Sequence, residues 1–167
     1  MGTEWVEPTI AMTRILIGDT VPDYEYTDER LQAVATTCAV LVQREALLAY
    51  TYVVDISTSD IEPDPGAIPD DAYMSLIAYK SACVIMTSEY RTASNKAFNV
   101  KDGPSTIDGR GVAENKLELA KGACKYYDEY KAIQSANGSN MGGYLVVGPF
   151  NCDCVTDGSG RSNREGC

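Results

Sequence analysis

The stretch TDERLQAVATTCAVLVQREALL, Thr27 to Leu48, decides the fold class. Leu31, Val34, Ala35, Cys38, Leu41, Val42 and Leu48 recur at helical spacing, with Gln32, Thr36, Gln43 and Arg44 on other faces. Thr27 suits an N-cap, and Asp28 and Glu29 oppose the helix dipole in the first turn. The pattern predicts an amphipathic helix over Asp28 to Leu48.

Upstream, PTIAMTRILI (Pro8 to Ile17) predicts a short helix, opened by a proline in its first turn and stopped by Gly18-Asp19. Downstream the period changes. In AYTYVVDIS, Tyr50, Tyr52, Val54 and Ile56 alternate with Thr51, Val53 and Asp55, which predicts a strand. TSDIEPDPGAIPD holds Pro63, Pro65, Gly66 and Pro69 and reads as a semi-rigid loop.

Asp70 suits the cap of a second long helix running from Asp71 to about Glu89, with Tyr73, Leu76, Ile77, Cys83 and Val84 as its apolar face. SEYRTASNKAF either continues it or starts another. In FNVKDGPSTID, Phe98, Val100 and Ile107 flank the turn residues Asp102-Gly103-Pro104, which predicts a β-hairpin or extended arm. A third long helix is expected over Val112 to Ser135, burying Leu117, Ala120, Cys124, Tyr127, Tyr130 and Ala132 and ended by Asn137-Gly138. NGSNMGG reads as a flexible link and Tyr144 to Val147 as a short C-terminal strand. The fold class is therefore mainly α: an antiparallel bundle of three long helices plus a short N-terminal helix, with a β arm and a short C-terminal strand. Residues 1–150 form one domain. Residues 151–167, polar and rich in Gly and Ser, form a flexible cysteine-bearing tail.

The chain has 167 residues and no histidine, and its net charge is −10. That charge argues against gripping nucleic-acid phosphates. The missing imidazole removes Ser-His-Asp and Cys-His catalysis and the commonest metal ligand. Paired acids at Asp28-Glu29 and Asp70-Asp71 fall where helix starts favour them, so a carboxylate hydrolase is not the reading; no enzyme and no cofactor are expected. No run is apolar enough to cross a membrane. Glu4 and Glu7 occupy the place of a basic signal-peptide region, which predicts a chain that is cytosolic when made.

Cys38, Cys83 and Cys124 sit singly in helical patterns and read as core thiols rather than a disulfide frame. Cys152, Cys154 and Cys167 are weak metal candidates, one ligand short of a tetrahedral site. DIEPDPGAIPDD resembles a calcium loop only loosely, missing the EF-hand Gly and Glu spacing. A small calcium- or zinc-binding module built on that loop or tail is the alternative function. Eleven Tyr against two Phe and one Trp favour an assembling surface.

Five segments in order resemble the head–tail connector (adaptor) proteins of tailed bacteriophages. They are Ile17-Gly18-Asp19 with Tyr26-Thr27-Asp28-Glu29-Arg30-Leu31; the strand TYVVDIS; the helix Asp70 to Cys83; Phe98 to Gly111; and Val146 to Phe150. The resemblance spans about residues 8 to 150, and the cysteine tail departs from it. It implies a structural subunit of a closed ring, a dodecamer, in the virion neck between capsid and tail, assembled in the host cytoplasm. Its implied partners are itself, the portal protein and the next neck or tail protein, with double-stranded DNA passing unbound through the channel and no membrane. The implied subunit and portal contacts are Phe98, Val100, Lys101 and Ile107 on the hairpin. In the C-terminal stretch they are Tyr144, Leu145, Val146, Val147, Pro149 and Phe150.

Overall fold

The structure, a computed structural model, describes residues 4–21, 23–96, 99–102, 105–108 and 110–138. Among them are four helices: α1 (Val6–Ile17), α2 (Asp28–Glu45), α3 (Asp71–Lys96) and α4 (Arg110–Gly138). Four short strands form two separate two-stranded antiparallel sheets: β1 (Val53–Asp55) with β2 (Asp60–Glu62), and β3 (Asn99–Asp102) with β4 (Ser105–Asp108). The helix count and type match the sequence reading. The boundaries shift. α1 begins two residues before Pro8, α2 ends at Glu45 rather than Leu48, and SEYRTASNK continues α3.

The caps are those that the side-chain chemistry favours. Thr27 Oγ1 accepts from Arg30 N at 3.4 Å, and Asp70 Oδ1 accepts from Tyr73 N at 3.0 Å. Gly18 closes α1 at φ +79°, a left-handed position that glycine occupies without a Cβ penalty.

α3 is the element on which α1, α2 and α4 pack. Its central stretch supplies Tyr73, Leu76, Ile77, Ala78, Ala82 and Ile85 to the interior. The main core joins Tyr73, Met74, Leu76 and Ile77 to Ala35, Ala39 and Val42 of α2, Tyr127 of α4, and Tyr52 and Ile61 from the β1–β2 region. Trp5, just before α1, is fully buried in this core. A second cluster gathers Ile10, Tyr26, Leu31 and Ile85. On α3 the buried partner is Ile85 rather than the expected Val84, which is exposed; on α4 Ala132 is exposed and Ala113 is buried instead.

The Pro-rich loop is more ordered than its composition predicts. It contains β2, with Val54 opposite Ile61, and Ile61 is buried. Strands of three residues leave too little alternation for a period to show. The same brevity trims the expected Tyr50 to Ile56 strand to β1. The loop is clamped to the N-terminal segment: Glu4 N donates to Asp64 Oδ2 at 2.9 Å, and a Cβ on Gly66 would lie 2.6 Å from the Glu4 carbonyl carbon. Only glycine lets these backbones approach so closely.

The cysteine expectation is corrected. Cys83 of α3 and Cys124 of α4 form a disulfide, with Cα atoms 4.6 Å apart. Periodicity places each cysteine on its own helix, but only helix–helix packing brings the pair within bonding geometry. Cys38 is a free, buried thiol, as expected. Burial pushes its pKa up, against the opposing effect of a Ser81 hydrogen bond.

Candidate assembly surface

Three junctions hold α4 against the rest of the molecule. At one, Glu45 of α2 accepts from Lys80 Nζ at 2.9 Å and from the Tyr127 hydroxyl at 2.8 Å, and Lys80 and Lys131 lie over the Tyr127 ring. The disulfide is the second. At the third, Glu89 of α3 accepts from Lys116 of α4 at 2.9 Å and from the Tyr26 hydroxyl, while Arg30 sits over the Tyr26 ring. The pairs 80/127, 83/124 and 89/116 run in opposite senses along the two helices, so α3 and α4 form a long hairpin with β3–β4 at its tip. Burial opposes ionisation of Glu45 and Glu89. The hydrogen bonds that each accepts outweigh it and hold both carboxyls below the ordinary value of 4.5. For Tyr26 and Tyr127 burial and the same carboxylates act together, raising both phenols.

The expected hairpin is present. Val100 pairs with Ile107 and Lys101 with Thr106 across β3–β4, which brings three of the predicted contact residues together at one tip. Phe98 lies outside the described residues, as do Tyr144, Leu145, Val146, Val147, Pro149 and Phe150. Cys152, Cys154 and Cys167 lie outside them too.

The Ile17-Gly18-Asp19 and Tyr26-Thr27-Asp28 segments are joined by a residue that the sequence reading did not single out. Arg14 is buried and donates to Asp19 Oδ2 at 2.6 Å, to the Tyr26 carbonyl at 2.8 Å and to Asp28 Oδ1 at 2.7 Å. Asp19 also accepts from the backbone N–H groups of Glu25 and Tyr26. One buried guanidinium thereby fixes the turn between α1 and α2. A lone Arg in an apolar stretch was the available signal.

α4 has a second apolar row that faces outward. Val112, Leu119, Tyr126 and Ile133 recur every seven residues, and all are exposed. Their spacing keeps them on one side of the helix. In the middle of this row a groove of about 450 Å³ opens between the end of α1, α3 and α4. Ile15, 70% exposed, and Leu119, 62% exposed, wall it, with Ala82 and Met86 from α3 and Tyr126 from α4. Gly122 lines it as well, and a Cβ there would meet nothing within 4 Å.

The acids of the β1–β2 region serve local structure. Asp55 Oδ1 accepts from Ser57, Asp60 Oδ1 from Ile61 N, and Asp64 from Gly66 N. Among the described residues no group of three or more Cys, Asp or Glu is placed to hold a metal ion. The paired acids at helix starts are likewise engaged: Asp70 accepts from the Tyr52 hydroxyl at 2.5 Å besides capping α3, and Asp28 pairs with Arg14. No described helix is long and apolar enough to cross a membrane. The described surface carries an outward apolar row and a groove on the α4 side of the molecule. No family model, curated protein or solved structure matches this chain.

Proposed function

We propose that the chain is a structural subunit of a ring at the neck of a tailed bacteriophage. It docks under the portal, extends the DNA channel and presents a platform to the next neck or tail protein. The observation that carries this reading is the outward apolar row of α4, crowned by the β3–β4 hairpin. A helix with two apolar faces, one of them unused inside its own subunit, suits a heterologous contact repeated by rotation into a closed ring. The bundle is then antiparallel, with α3 at its centre, and forms the ring wall. The hairpin around Lys101 to Ile107 and the stretch Tyr144 to Phe150 reach neighbouring subunits or the portal. β augmentation suits an apolar sequence such as Tyr144-Leu145-Val146-Val147. The net charge of −10 suits a channel through which DNA slides without sticking.

The test is to mix the purified chain with a purified portal ring and to image the mixture by electron microscopy. A ring of added density, coaxial with the portal, is the expected result, and its symmetry gives the subunit number. No added density, on a portal shown to recruit another neck protein, overturns the proposal.

A further inference from the structure

We infer that a pocket between α2, α3 and α4 binds a small amphipathic carboxylate, an apolar body carrying one anionic head. The pocket has a volume of about 610 Å³. That is within the range of sites that take small organic ligands, which pair an apolar lining with a few placed polar groups. Each helix gives it one valine: Val34 of α2 is half-buried, and Val84 of α3 and Val112 of α4 are exposed. An apolar body seated between them takes this surface out of water on several sides at once. The pocket shares only Val112 with the outward row of α4, and a monomer in solution has it, so the inference does not rest on the ring.

The charge of the head follows from how the pocket's four ionic side chains, Glu25, Arg30, Glu89 and Lys116, are used. Glu89 and Lys116 are committed to each other. One Glu89 oxygen accepts from Lys116 Nζ at 2.9 Å, and the other accepts from the Tyr26 hydroxyl. Arg30 is positioned but not consumed. Its guanidinium lies over the Tyr26 ring, 4.7 Å from the centroid, and its side chain makes no hydrogen bond or ion pair among the described residues. Stacking uses the face of the guanidinium and leaves its N–H edge to fork onto a carboxylate. Tyr26 steadies the stack, because it is buried and its hydroxyl is held by Glu89. Lys116 has donors beyond the one that it gives Glu89. Glu25 is exposed and opposes an anion, but no side-chain hydrogen bond fixes it among the described residues. Positioned donors therefore outnumber free acceptors, which favours an anionic head. With two acids in the lining, the pocket has charge for a single carboxylate and not for a phosphate dianion.

The experiment titrates the full chain with sodium octanoate, below the concentration at which it forms micelles, and reads the methyl groups by NMR. Octan-1-ol and octylammonium are the neutral and cationic controls of the same chain length. Octanoate is expected to give saturable shifts at Val34, Val84 and Val112, octanol to bind more weakly there, and octylammonium not to bind there. Arg30→Gln should weaken octanoate about tenfold, the effect of losing a charge-assisted hydrogen bond, and leave octanol unchanged. Glu25→Gln should tighten octanoate about twofold by removing a like charge. In both variants the methyl shifts of Leu76 and Ile77 should stay in place, reporting an intact core. The absence of saturable octanoate shifts at the three valines overturns the inference. So does octanol or octylammonium binding as tightly as octanoate, or octanoate binding unchanged in a folded Arg30→Gln. If Arg30→Gln disturbs the core shifts, Glu25→Gln decides, and octanoate binding that is unchanged or weaker there overturns the anionic head.

Discussion

Tyr126 and Tyr127 are neighbours on α4 with opposite fates. Tyr127 is 2% exposed: its hydroxyl donates to Glu45 and its ring lies beneath Lys80 and Lys131. Tyr126 is 60% exposed and walls an open groove. The same division runs along the whole helix. Ala113, Ala120 and Tyr127 face inward, whereas Val112, Leu119, Tyr126 and Ile133 face out, at the same spacing of seven. One row of α4 is occupied in holding the subunit together. The other row is exposed and available for contact.

The contrast can be broken most forcefully on the inner row. Tyr127→Ala is expected to cost about 3–5 kcal/mol, because it opens a cavity and strips Glu45 of a donor. Urea denaturation would measure it, and a cost below about 1 kcal/mol would mean that the inner row holds less than its burial implies. The disulfide supports the same row. Cys124→Ser is expected to cost about 2–4 kcal/mol, and added reductant should lower the melting temperature of the parent but not of the variant.

Acid sharpens the comparison further. Glu45 and Glu89 have pKa values below the ordinary 4.5, so the stability they contribute is present above 4.5 and is lost as pH falls through their folded values. The urea midpoint should hold steady near neutral pH and drop in acid. Glu45→Gln should flatten that drop, and a variant with the parent slope would remove Glu45 from the account. The smallest effect belongs to the outer row. Leu119→Ala or Tyr126→Ala should change stability by no more than about 0.5 kcal/mol while weakening whatever docks there. A large loss of stability would show that this face is already packed within the subunit.

Much of this division was legible in the residues, up to a definite point. The periodicity of Leu31, Ala35, Cys38 and Val42 gave α2, and Thr27 and Asp70 act as the caps that their chemistry predicts. On α4, Ala120 and Tyr127 were recognisable as buried, but the row of Val112, Leu119, Tyr126 and Ile133 has equal apolar spacing. Periodicity identifies stripes; only the neighbouring helices decide which stripe is covered. The disulfide escaped for the same reason, since two solitary cysteines in separate helices carry no pairing signal. Arg14 escaped because its three acceptors come from a turn and a helix start that only the folded chain brings together. The β2 strand was hidden by prolines whose ring geometry argues against regular structure on either side.

The bond between Cys83 and Cys124 also changes the topology of the chain. It closes the upper half of α3, the β3–β4 hairpin and the first half of α4 into a covalent circle with a sequence separation of 41. A protease cut inside the hairpin would therefore not divide the protein. The two pieces would migrate together on a non-reducing gel and separate only after reduction. By the same logic the tip could be cut, exchanged or lengthened while α4 stays tethered to α3.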